Sequence, residues 1–239
     1  MTFVAVASVT LRALLGRRRT ILMLLLAGVP ILVGLLVRAN GPGVHDLGST
    51  LDGLVVRLVL PIVALVFGTA ALGSELDDGT AIHLLTKPIR RSTIVLAKLL
   101  VAGSLAAAML VPSTVLAGLL LARPGGDALA TSVAVAVGVL VGSYLYVAIF
   151  LALSIVTTRG LIVGLGYALI WEGLLAGLLP GSQIFSVREY VRGIAQAISP
   201  STIQSIVGTG AVVYAAVALV VVAVVASVRL AAYEVRGGD

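Results

Sequence analysis

SELDDGTAIHLLTKPIRRSTIVLAK, residues 74–98, holds seven of the 26 Asp, Glu, Lys and Arg residues of a 239-residue chain. Apolar runs long enough to cross a bilayer lie on both sides of it. The rest of the chain is so poor in charge that this island divides a string of hydrophobic helices, and its own residues are the first place to look for function.

Outward from the island, composition sets the class. The chain is 60% hydrophobic and 11% charged, with mean hydropathy +1.19, whereas soluble domains carry about 25% charged residues. An integral membrane protein is the expectation. A span needs about 20 predominantly apolar residues. Six stretches qualify, at 21–37, 54–73, 99–122, 133–156, 161–179 and 211–228. Glycine pairs at close helical spacing, such as Gly138 with Gly142 and Gly160 with Gly164 and Gly166, suit close helix approach. No internal repeat or long linker divides the chain, so one transmembrane domain, 1–239, is expected.

Lys and Arg placement orients the spans. With the N-terminus inside, the inner segments hold eleven basic residues and the outer segments four, and Arg57 lies within a span. The positive-inside rule therefore puts both termini and the island in the cytoplasm. The net charge of +6 is explained by this placement, without nucleic acid as a partner. Arg17, Arg18 and Arg19 precede an apolar run with no cleavage site, so an uncleaved first span is favoured over a signal peptide. Residues 3–15 pattern as a short amphipathic helix at the inner interface, a frayed basic lead being the plain alternative.

Within the island, Ser74 suits a helix N-cap, with Glu75, Asp77 and Asp78 in the first turn. Thr80 to Leu85 continues that helix, Pro88 stops it, and a new helix from Ser92 or Thr93 runs through Lys98 into the third span. Ala81, Ile82, Leu84 and Leu85 give it an apolar side. A solvated positive-inside loop is the plain alternative.

The pattern Glu75-Leu76, Asp78-Gly79-Thr80, Leu84-Leu85, Pro88, Arg91 and Lys98 resembles the first cytoplasmic loop of ABC-2 type permeases, the membrane subunits of type-2 ATP-binding-cassette exporters. Six spans, a basic N-terminal helix and an enlarged last outer loop fit that resemblance. It implies an all-α membrane fold and a coupling helix docking into a separate ATPase, carried by Glu75, Asp78, Thr80, Leu84, Leu85, Pro88 and Arg91. It also implies two ATPase subunits that bind ATP and Mg, a second permease chain (identical or homologous), and no cofactor on this chain. His83 falls outside the pattern and reads as an exposed helix residue.

The last outer loop, 180–210, is patterned. Val187, Tyr190, Val191, Ile194 and Ile198 recur at helical spacing opposite Arg188, Glu189, Arg192 and Gln196, Ser199-Pro200 ends the helix, and Thr202 to Val207 suits a second short one. An outer gate built on Tyr190, Ile194 and Pro200 and a simple interfacial anchor are both compatible with this. Two charges fall inside spans. Arg57 and Glu172 have similar depth, so they can pair; Arg57 can also snorkel to the headgroups, and Glu172 can meet a cationic cargo or carry a proton.

Several classes lose support. There is no Cys, which excludes disulfides and thiolate sites, and two distant histidines, His45 and His83, make a poor zinc site. No G-x-x-x-x-G-K-[ST] phosphate loop and no H-E-x-x-H motif occurs. An ion- or proton-coupled carrier using Glu172 and a membrane scaffold for a cytoplasmic partner remain as alternatives. Val- and Ala-rich spans, with Arg preferred to Lys, suggest a high-GC bacterial genome, and the expected location is the bacterial cytoplasmic membrane. Apolar walls favour an amphipathic or hydrophobic cargo, a small molecule, peptide or lipid.

Overall fold

The computed structural model describes residues 2–39, 47–77, 90–122, 127–176, 181–200 and 203–232. Every regular element among them is helical, as lipid demands of an open chain whose backbone groups find no water. In chain order these are α1 (Thr2–Leu14), α2 (Arg17–Ala39), α3 (Leu47–Leu51), α4 (Leu60–Asp77), α5 (Arg91–Leu120), α6 (Ala128–Val156), α7 (Gly160–Gly166), α8 (Val187–Ile198) and α9 (Ala211–Ala231). A π-helical stretch, Asp52–Val59, joins α3 to α4 without a break, and another, Tyr167–Leu175, continues α7. Short 3-10 turns occur at Ser182–Phe185 and Gly208–Gly210.

Among the described residues five helices are long and apolar enough to cross a membrane: Thr20–Ala39, Leu47–Leu72, Arg91–Leu120, Ala128–Val156 and Gly208–Ala231. The expected fifth span, 161–179, appears as the apolar but shorter helix Gly160–Leu175, and residues 177–180 lie outside the described set. The second span starts at Leu47 rather than 54 and the third at Arg91 rather than 99. Ser74 is not an N-cap, because α4 runs through it to Asp77. Extending an existing helix adds one bond per residue, whereas starting another requires a costly nucleus.

Helix α6 is the hub. It packs on α4, α5, α7, α8 and α9, and α2 and α1 lie mainly against α5. Small residues allow this crowding. A Cβ on Gly68 of α4 would stand 2.9 Å from Phe150 Cβ of α6, so the two backbones approach as only glycine permits. Phe150 in turn meets Tyr167 edge-on at 6.1 Å, which seats the π-helical stretch of the fifth helix against the hub.

Candidate functional site

Two ends of the second-span helix carry the polar features. At one end, α4 leads into the island and α5 leads out of it. Glu75 lies on the last turn of α4, and Arg91 is the first residue of α5 after an extended Arg90. Asp78, Thr80, Leu84, Leu85 and Pro88, with His83, lie outside the described residues. The flanking helices are tied together by Lys98, 1% exposed, whose Nζ donates to the Ala71 carbonyl oxygen at 2.5 Å. An ammonium is almost never buried without such partners.

At the other end sits α8, capped by Ser186, whose hydroxyl accepts from the Glu189 backbone N–H. Val187, Tyr190, Val191, Ile194 and Ala195 are buried, while Ile198 is exposed. Val191 is pressed into a notch on α6: a Cβ on Gly138 would fall 2.5 Å from the Val191 carbonyl oxygen, and one on Gly142 2.6 Å from Val191 Cγ2. The Tyr190 hydroxyl donates to the Ile184 carbonyl oxygen, and the Tyr190 ring stacks on Tyr214 of α9. Burial, with Glu172 and then Tyr214 adding, raises the Tyr190 phenol above its ordinary pKa. Pro200 is an exposed turn residue just beyond the helix.

The polar side of α8 is also covered. Its partner is Asp52, a residue for which the sequence reading assigned no role. Asp52 is 5% exposed; its Oδ1 accepts from Arg192 Nε at 2.8 Å, and its Oδ2 accepts from Arg188 Nη2 at 2.9 Å and from Arg192 Nη2 at 2.5 Å. Arg192 Nη1 also donates to Glu189 Oε1 at 2.8 Å. Burial works against the Arg192 charge, but hydrogen bonds and charge from Asp52 and then Glu189 more than offset it, so its pKa stays above the ordinary arginine value. Glu189 itself is buried.

Glu189 and Gln196 explain why the expected short helix at Thr202 to Val207 is absent over Ile203–Val207. The Ser205 N–H donates to Gln196 Oε1, the Ile206 N–H to Glu189 Oε2, and the Val207 N–H to Ser205 Oγ. Side chains of α8 and of the loop itself take the backbone donors that a helix would have used.

Arg57 and Glu172 come from neighbouring helices but choose different partners. Arg57 Nη2 donates to the Gly173 carbonyl oxygen at 3.2 Å, bridging the second and fifth helices beside the carboxylate rather than through it. The Glu172 carboxylate accepts from Ser186 Oγ at 2.6 Å, the Val187 N–H at 2.8 Å and Tyr167 Oη at 3.2 Å. It therefore sits at the N-terminus of α8, where free N–H groups and the helix dipole favour an anion. Among the described residues no group of three or more His, Asp or Glu is placed to hold a metal.

Several long apolar helices packed around a central one define a multi-pass membrane protein. A family model described as "ABC-2 family transporter protein" matches residues 39–179. The chain belongs to that family, whose members are membrane components of transporters that work with an ABC ATPase. The matched stretch contains the island, both helices flanking it, Asp52 and Glu172. No curated protein matches the sequence.

Proposed function

We propose that this chain is the transmembrane permease subunit of an ABC exporter, and that residues 75–91 carry the coupling element that docks into a separate ATPase. Two copies, or this chain with a homologue, enclose the path. Two ATPase subunits, carrying ATP and Mg, drive the export of an amphipathic or hydrophobic small molecule, peptide or lipid across a bacterial cytoplasmic membrane. Both termini and the island face the cytoplasm, and Gly160–Leu175 with the residues after it completes a sixth crossing. The observation that carries this reading is the family match across the island and its two flanking helices. Lys98 adds support, since its bond to Ala71 makes the helices on either side of the island respond together. The positive-inside count supports the orientation.

Tagged chain solubilised in mild detergent should bring down an ABC ATPase. Glu75→Lys and Arg91→Glu should weaken that capture at least tenfold without lowering the yield of folded chain. If no ATPase is captured and both variants transport normally, the reading fails.

A further inference from the structure

We infer that Asp52 is a positioning residue that makes α8 travel with the second-span helix, so that the helix running into the island and the helix over the opposite end move as one body. The inference rests on the coupling role proposed for residues 75–91.

The path is continuous. From Leu47 to Asp77 the chain is helical without a break, through α3, the π-helical stretch and α4. At about 1.5 Å per residue, the distance from Asp52 to Asp77 is roughly 37 Å, enough to cross the about 30 Å hydrocarbon core of a bilayer. A helix of that length is stiff along its axis, so movement at the island end is delivered to Asp52. What Asp52 holds is α8. Its carboxylate grips Arg192 through two nitrogens and Arg188 through one; paired bonds of this kind are strong and fixed in direction. The grip extends further, because Arg192 also holds Glu189, and Glu189 Oε2 accepts from Ser205 Oγ and the Ile206 N–H in the segment leading to α9.

The other attachments of α8 differ in kind. Its contact with α6 is close packing, Val191 lying in a notch over Gly138 and Gly142. Glu172 holds only the first turn, through Ser186 and Val187. Among the described residues, the ion pairs that join α8 to another helix are those of Arg188 and Arg192 with Asp52 on the second-span helix. Rigid-body movement of that helix relative to the hub therefore carries α8 over α6 and opens or closes what α8 covers.

The absence of native cysteine gives a direct test. Ile198→Cys places a thiol at the exposed end of α8. The rate of its reaction with a maleimide is followed in nanodiscs that hold the permease with its captured ATPase, with and without MgATP. In the parent, MgATP should change the rate at least threefold. With Asp52→Asn the change should fall below 1.5-fold while MgATP is still hydrolysed, and Asp52→Glu, which keeps the carboxylate, should restore it. Arg192→Gln carries the same expectation should Asp52→Asn fail to fold. A response to MgATP in Asp52→Asn or Arg192→Gln equal to the parent's overturns the inference. So does a parent thiol indifferent to MgATP in a complex that hydrolyses it. Failure to capture any ATPase overturns the proposed function itself, and the inference with it.

Discussion

Glu172 accepts from a hydroxyl, a backbone N–H and a phenol, and three donors go far to offset the water a buried carboxylate gives up. Glu172→Gln keeps an acceptor oxygen at the α8 N-terminus and loses the charge, which should lower unfolding free energy by about 1 kcal/mol. Glu172→Ala strips all three donors of their partner and should cost about 3 kcal/mol. Thermal unfolding in detergent checks both values. Transport by Glu172→Gln should equal that of the parent; a folded Glu172→Gln chain without transport would reassign Glu172 to cargo or proton movement. Gly138 is the second sensitive position, because the atom its Cβ would strike belongs to the Val191 backbone and cannot rotate away. Gly138→Ala should destabilise by about 1–3 kcal/mol, whereas Gly166→Ala, with open space around it, should change stability little. Asp52 was not legible as a site. A lone acidic residue near the start of a span reads as a solvated loop charge, and the arginines that give it meaning stand 136 and 140 residues later.

Helix existence was legible and helix ends were not. Apolar runs dictate helices in lipid, and among the described residues five of the six expected membrane-length stretches appear as long helices, the 161–179 stretch as a shorter one. The ends shift because polar residues continue a helix once it has begun, as Ser74, Glu75 and Asp77 do in α4 and Arg91 does in α5. A helix forms at Val187–Ile198, where the periodicity puts one, but periodicity separates two faces without saying what covers the second. Both π-helical stretches hold a carboxylate that grips α8, Asp52 in one and Glu172 in the other. Such turns are rare and frequent at functional sites. At the island end, Lys98 joins α5 to α4. Lys98→Met preserves length and apolar stem but leaves the Ala71 carbonyl without that donor. The ATPase should still be captured, while the permease's stimulation of ATP hydrolysis should drop several-fold. Loss of capture instead would place Lys98 in docking.

For the whole molecule, the arrangement is a hub with two thinly covered flanks. Only 22% of the span window in α2 and 17% of that in α9 is buried within the chain, and Val213, Val217, Val220, Val224 and Val228 of α9 face outward. Such surfaces suit lipid or another permease chain, and light scattering of the detergent complex should give two copies of the 24.3 kDa chain. The number of crossings has its own test. Gly16→Cys and Ala232→Cys, at exposed positions near the two chain ends, should react with an impermeant maleimide from the same face of sealed vesicles. Reaction from opposite faces would mean that the Gly160–Leu175 segment does not cross.

The family match ends at residue 179, and that boundary falls between the halves of the Asp52 clasp. Asp52 lies within the matched residues, and Arg188 and Arg192 lie after them. A relative that has replaced the acid corresponding to Asp52 should also have lost the arginines corresponding to Arg188 and Arg192, and a graft of a foreign C-terminal part should fail unless it brings those arginines or leaves the acid behind. Lineages that keep one half of the clasp and discard the other should be rare.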